Sequence, residues 1–223
     1  LTEWIYWNCA DCGNFGYVSF YDVKSDPAKP ALVGRERLAE QFTGVPYHVA
    51  IAGDYAYVQT TAVGIQVVNI EKSKGTHQPG EAIAGYYDTM GAGYLSPNDI
   101  AFLKGNLYVP TSSGHLLVLS VSNPAIPELI GSLGLSSPSP AWRVSVAGDY
   151  TFTDASGTPQ TMDIAVVSIG TGGLSIVNIT DPRNPVVIAA ISGLYASDVS
   201  ISRKGLIYVA DGTTVDVVDI KDP

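Results

Sequence analysis

The feature that most constrains this sequence is an internal repeat. An apolar run that ends on a small polar residue followed by a β-branched residue occurs five times. The copies lie at residues 16–23, 64–70, 114–121, 173–179 and 215–220. The β-branched residues that close successive copies are 47, 51, 58 and 41 residues apart. A repeat of this period marks a chain built from similar supersecondary units that stack on one another.

Two further segments accompany the repeated run. Before it, in the second to fifth units, two β-rich runs flank a Gly-Asp, Gly-Asn or Lys-Gly turn, which predicts a hairpin. These hairpins lie at residues 49–58, 100–109, 144–152 and 199–209. After it, in the first, third and fourth units, a Pro-x-x-Pro break leads into another apolar segment, and proline suits the edge of a sheet. Each unit is therefore predicted to hold four antiparallel strands, which is the blade of a β-propeller.

Three motifs in this order carry a family resemblance. They are Gly-Asp-Tyr-Ala-Tyr-Val at 53–58, Gly-Ile-Gln-Val-Val-Asn-Ile at 64–70, and Asp-Pro-x-x-Pro at 181–185. The pattern resembles the LVIVD repeat of bacterial and archaeal surface proteins over nearly the whole chain. The resemblance implies an all-β fold, a β-propeller of four-stranded antiparallel blades.

The repeat predicts five units, of which three are complete and two partial. We place them at about 1–44, 45–95, 96–138, 139–194 and 195–223. The first unit lacks its innermost strand and the last stops before its outer strand, so we interpret the chain as a window of a longer propeller. The alternative is a small five-bladed ring with ragged ends. Residues 153–160 are predicted to be a loop that extends beyond the fourth blade.

Composition excludes two kinds of partner. With 12 basic and 21 acidic side chains the formal charge is −9, which opposes binding to nucleic acid. The apolar runs are far shorter than the roughly 18 residues that a membrane-spanning helix needs. Hydrophobic residues make up 46% and charged residues 15%, a balance typical of a folded chain rather than a disordered one.

Cys9 and Cys12 form the one cysteine pair. Residue 13 is glycine, whereas covalent haem attachment needs a histidine there, and a structural zinc site needs four ligands. We therefore predict no cofactor and no metal. The pair is a candidate for a disulfide that closes a short loop, with free thiols as the alternative. A disulfide would indicate an oxidising compartment.

Four ionisable residues share one position in their units. His48, Asp99, Arg143 and Asp198 each stand just before the first apolar residue of the predicted innermost strand. Innermost strands line the central channel of a propeller, so these side chains are predicted to form a ring near one mouth of it. The ring is a candidate binding site. The alternative is that these residues bond the backbone between blades.

No motif of catalytic chemistry accompanies the repeat, so the sequence favours a non-catalytic module. We expect an extracellular, cell-surface or periplasmic scaffold or binding module of a larger protein. Its expected partners are a protein, peptide or glycan, or the other domains and subunits of a surface assembly. The alternative is an enzyme or metal-dependent propeller that uses the same four residues. Tyr57, Tyr108 and Tyr208 share another blade position and are predicted to be core residues.

Overall fold

The structure, a computed structural model, describes residues 16–38, 46–60, 64–135, 139–153, 156–202 and 205–220. Over these ranges the regular structure consists of seventeen β-strands and no helix. In chain order they are β1 (Tyr17–Asp22), β2 (Ala31–Arg37), β3 (Pro46–Ala52), β4 (Tyr55–Thr60), β5 (Gly64–Asn69), β6 (Ile83–Asp88), β7 (Ala101–Leu103), β8 (Asn106–Pro110), β9 (His115–Ser120), β10 (Glu128–Gly134), β11 (Arg143–Thr153), β12 (Pro159–Ser168), β13 (Leu174–Asn178), β14 (Val186–Ile191), β15 (Asp198–Ile201), β16 (Leu206–Ala210) and β17 (Val215–Asp219). Cys9 and Cys12 lie outside the described residues.

The strands form five antiparallel sheets, each a meander in chain order. The first sheet is β1-β2, the second β3-β4-β5-β6, the third β7-β8-β9-β10, the fourth β11-β12-β13-β14 and the fifth β15-β16-β17. The strands that begin the second to fifth sheets contact one another in succession: β3 contacts β7, β7 contacts β11, and β11 contacts β15. This is a β-propeller arrangement, and it confirms the predicted all-β class and antiparallel blades.

The core lies between the sheets rather than at a single centre. Four clusters of buried apolar residues each combine side chains of two consecutive sheets. Between the second and third sheets, for example, Tyr57, Ile65 and Val67 of one sheet pack with Leu107 and Leu117 of the next. Full burial of one such aliphatic side chain contributes roughly 1.5–3 kcal/mol. Successive side chains of a strand point to opposite faces of its sheet. Each strand therefore contributes apolar residues to the clusters on both sides of the sheet.

One predicted hairpin is wrong in its position. Gly148-Asp149 was expected to form the turn, but β11 continues through these residues to Thr153. A register shift between Ala147 and Tyr150 makes the pair a bulge, with Asp149 at a φ of 54°. The strand continues because residues 150–153 pair with residues 159–162 of β12. Most of the predicted loop at 153–160 is thus the end of a long hairpin that extends beyond the blade.

A buried carboxylate joins the first two sheets. Glu36 of β2 is fully buried, and its Oε1 accepts hydrogen bonds from the backbone N–H groups of Arg37 and Gly80, both at 2.7 Å. Its Oε2 accepts the N–H of Ala82 at 2.9 Å and lies 3.1 Å from His77 Nε2. A buried charge is tolerated when its oxygens are bonded in this way. Glu36 therefore holds the segment after β5 against the first sheet.

We expect Glu36→Ala to lower the free energy of unfolding by about 2–4 kcal/mol, because it leaves buried N–H donors without an acceptor. Urea unfolding followed by circular dichroism measures this. Glu128→Ala, at an exposed glutamate that begins β10, is the matched control and should change stability by less than about 0.5 kcal/mol. Equal losses in the two variants would contradict the role of Glu36.

Candidate functional site

The four residues predicted at the channel mouth lie at the start of the innermost strands. His48 is near the beginning of β3, Arg143 and Asp198 are the first residues of β11 and β15, and Asp99 stands two residues before β7. Because β3, β7, β11 and β15 contact one another in succession, as the innermost strands of propeller blades do, their first residues lie near one another at one end of these strands. Each comes from a different sheet, so the cluster exists only when the sheets are assembled.

Asp99 connects three of these sheets. Its Oδ1 accepts the N–H of Ile100 at 2.8 Å and lies 3.2 Å from Nδ1 of His48 in the second sheet. Its Oδ2 accepts the N–H of Val144 in the fourth sheet at 3.0 Å. Only 9% of the residue is exposed. Both oxygens of Asp99 are thus used in bonds between and within blades.

Arg143 and Asp198 have different surroundings. Arg143 Nη1 donates to the carbonyl oxygens of Asn98 at 2.9 Å and Trp142 at 3.3 Å. Asp198 is exposed, and its Oδ1 accepts the N–H of Val199 at 2.8 Å. The two carboxylates of the ring therefore differ: Asp99 is buried in the blade contacts, whereas Asp198 faces solvent.

The charges of the four residues affect the pKa values of His48 and Asp99. Burial is the main cause that lowers the pKa of His48 below its usual value, and the positive charge of Arg143 lowers it further, while Asp99 and Asp198 oppose the shift. Burial raises the pKa of Asp99, against its hydrogen bonds and the nearby charges of His48 and Arg143. The structure thus brings the four residues together, and a ligand-binding role for them stays a prediction.

Two exposed aromatic residues that the sequence did not single out lie next to the ionisable residues. Tyr47 and Trp142 immediately precede His48 and Arg143 and are 63% and 42% exposed. Trp142 and Tyr195, the latter 47% exposed, both lie beside Gly170. A Cβ atom built on Gly170 would be 3.2 Å from Trp142 Nε1 and 3.7 Å from the ring of Tyr195. The signal that could have found Tyr47 and Trp142 is their register, one residue before the ionisable ring.

The remaining histidines have structural partners. His77 is paired with Glu36, and His115 lies edge-on against Tyr94 with 5.3 Å between the ring centres. Over the described ranges, no group of three or more His, Cys, Asp or Glu side chains is arranged to hold a metal ion. Within the described part of the chain there is also no helix with the length and hydropathy needed to cross a membrane.

Comparison with known proteins identifies the repeat. The sequence model of the LVIVD repeat matches residues 44–77, 97–134 and 193–223. The chain thus contains three LVIVD repeats within a β-propeller fold. Among solved structures, the computationally designed Ika4 protein is similar to it, with a TM-score of 0.57 and 11% sequence identity over 82% of this chain and 96% of that one. At this identity the likeness shows the fold alone. None of the curated proteins matches this LVIVD-repeat protein.

The electrostatic coupling predicts opposite effects on the pKa of His48. Removing the cation with Arg143→Ala should raise that pKa, and removing an anion with Asp198→Asn should lower it. Titration of the His48 ring by two-dimensional NMR measures both shifts. Asp181→Asn, at an exposed carboxylate in the turn after β13, serves as the control and should leave the titration unchanged. If Asp198→Asn also has no effect, Asp198 does not belong to the cluster.

Proposed function

We propose that this LVIVD-repeat propeller is a non-catalytic binding and scaffold module that works outside the cytoplasm, on the cell surface, in the envelope or beyond it. The observation that carries the proposal is the channel mouth. There an ionisable ring drawn from four sheets stands beside exposed aromatic side chains. Such a surface offers charge, hydrogen bonds and aromatic contact area at once, which suits recognition of a protein or a glycan.

The state of the ring supports binding rather than acid–base catalysis. A general acid or base needs contact with the substrate and a pKa suited to proton transfer. Asp99 is buried and its oxygens are bonded to Ile100, Val144 and His48, so it is held for structure. Arg143 is bound to two carbonyl groups. Asp198, Trp142 and Tyr47 are the residues that a ligand could reach.

The frame beneath the site also supports recognition. Every strand that begins at the mouth pairs with a second strand, and its sheet packs against at least one neighbouring sheet, so the side chains there are supported from below. Ligand contacts can be placed on the ends of such strands without altering the core. The module can therefore act as a rigid scaffold that presents one recognition face.

A location outside the cytoplasm is supported by two features of the sequence. The LVIVD repeat resembles that of bacterial and archaeal surface proteins. Cys9 and Cys12 are spaced for a short disulfide loop, and disulfides persist in oxidising compartments.

Substitution of the two carboxylates separates structure from binding. Asp99→Ala should lower the free energy of unfolding by about 2–4 kcal/mol, because it leaves Val144 and Ile100 N–H groups unbonded beside His48. Asp198→Ala, at an exposed residue, should cost less than about 1 kcal/mol. Urea unfolding measures both. A larger loss in Asp198→Ala would contradict this division of roles.

Binding itself is tested by presenting the purified chain to a glycan array and a displayed peptide library. Trp142→Ala and Asp198→Ala should abolish the capture seen with the unchanged chain, while Tyr86→Ala, at an exposed tyrosine of β6, should not. Stoichiometric capture without consumption of the bound compound supports a binding module. Conversion of that compound to a product would support the enzyme alternative.

The compartment is tested on the protein from its native source. We expect peptide mapping by mass spectrometry to find Cys9 and Cys12 in one peptide that is two hydrogen masses lighter before reduction than after it. Two freely alkylated thiols in freshly isolated protein would count against an oxidising location.

A further inference from the structure

Carboxylates gather at the end of the second to fifth sheets where the innermost strands begin. Four of the described ones lie there: Asp88, Asp99, Asp198 and Asp211. Strand register fixes their placement. Asp88 pairs with the first residue of β5, which is joined through the last residue of β4 to the first residue of β3. Asp211 directly follows the residue that pairs with Asp198.

The cations of these sheets lie almost entirely at the other end. Between residues 46 and 220, Arg143 is the only described lysine or arginine at the channel mouth. The others lie in the connections at the opposite end, at Lys72, Lys74, Lys104 and Arg183. Arg143 directs Nη1 to the carbonyl oxygen of Asn98 in the third sheet, so its guanidinium is engaged by the chain itself. The described part of the channel mouth is therefore acidic.

Little positive charge offsets these carboxylates at neutral pH. Burial lowers the pKa of His48, so its ring is uncharged there. Hydrogen bonds from the backbone N–H groups of Thr214 and Thr213 hold the pKa of Asp211 below its usual value, so this carboxylate is ionised. Asp198 is exposed to solvent. A surface of this kind attracts cations and repels anions.

Trp142 and Tyr195 form an aromatic pair at the same end, where the fourth and fifth sheets meet. The N–H of Trp142 donates to the carbonyl of Ser168 at 2.8 Å. Gly170 and Ala196 exchange two backbone hydrogen bonds, of 3.1 and 2.9 Å, between the two sheets. These bonds hold both rings beside Gly170, where a built Cβ atom would contact each of them. The backbone thus fixes the pair before any ligand arrives.

The two rings are open to a cation from outside. Trp142 is 42% and Tyr195 47% exposed. The face of an aromatic ring attracts a cation that lies within about 6 Å of the ring centre. The chain itself contains one such contact, in which the guanidinium of Arg35 stands 4.2 Å over the ring of Tyr17. Among the described residues, no lysine or arginine stands in this way over Trp142 or Tyr195.

We propose that the channel mouth binds an arginine side chain of a partner protein. The guanidinium lies against Trp142 and Tyr195, and the exposed carboxylate of Asp198, three residues after Tyr195, balances its charge. A guanidinium is planar, stacks on aromatic faces and keeps its charge at neutral pH. Sites for small free ligands enclose most of the ligand surface, whereas these rings are about half exposed, so the cation belongs to a larger partner. The proposal rests on the recognition role proposed above and names the group that is recognised.

The test uses a fluorescein-labelled peptide of glycine, serine and arginine, and a second peptide in which citrulline replaces every arginine. Citrulline keeps the shape of arginine without its charge. Fluorescence polarisation at low ionic strength should show at least about tenfold tighter binding of the arginine peptide. Trp142→Leu and Tyr195→Leu leave the charge of the protein unchanged, and each should weaken that binding about three- to tenfold. Asp198→Asn should weaken it to a similar degree.

Two matched controls separate the site from general effects. Asp181→Asn removes a carboxylate at the opposite end and should leave binding unchanged, unlike Asp198→Asn. Gly170→Ala places a methyl group against Trp142, whereas Gly53→Ala places one in open space at a similar φ, 58° compared with 54°. Thermal melts should show similar losses of stability in the two glycine variants, but only Gly170→Ala should weaken peptide binding.

Several results would overturn the proposal. Equal binding of the two peptides would exclude recognition of the charge. Unchanged binding by Trp142→Leu, or equal losses in Asp181→Asn and Asp198→Asn, would show a general attraction to an acidic protein. Capture of a neutral glycan that depends on Trp142, without a preference for the arginine peptide, would refute the arginine site and leave the recognition role standing. Failure to bind the arginine peptide and every compound on the arrays would refute both.

Discussion

The face-to-face packing of consecutive sheets is the interaction on which the rest of this structure depends. No single sheet can bury its apolar residues alone, since both of its faces carry them at alternate positions. Each sheet therefore needs a neighbour on either side, and the chain meets this need by repeating one unit. The positions of the innermost strands and of the ionisable residues at their first ends follow from where such neighbours stand.

Two buried carboxylates form hydrogen bonds that connect these packed sheets. Glu36 receives N–H groups from the segment that follows β5, and Asp99 receives one from the fourth sheet while it contacts His48 of the second. Hydrophobic packing is not directional, whereas these bonds are satisfied in one relative placement of the sheets. At the channel mouth, Asp99 forms such bonds between sheets. Asp198, its equivalent in the fifth sheet, faces solvent.

Features that depend on residues close in sequence could be predicted from the sequence, whereas features that depend on contacts between sheets could not. The strands and their antiparallel order followed from the repeat, and so did the register of His48, Asp99, Arg143 and Asp198. The turn at Gly148-Asp149 was misplaced because the strands continue to pair beyond it, and because Tyr150 donates a hydrogen bond to the carbonyl of Ile220 in the fifth sheet at 2.6 Å. Glu36 lies outside every repeated motif, and its partners His77, Gly80 and Ala82 are more than forty residues away. Nothing local marks it as buried.

The amino-acid sequence by itself determined the all-β class, the blade as the unit of the fold and the register that carries ionisable residues to the channel. Those properties depend on alternation and turn chemistry within a few residues, which each unit contains whole. The tertiary structure alone decided which equivalent residues are covered. Tyr57 and Tyr108 are buried and Tyr208 is exposed, although the three share one position in the repeat. Burial depends on the neighbouring sheet, and a repeat that is the same in every unit cannot say which faces another described sheet covers.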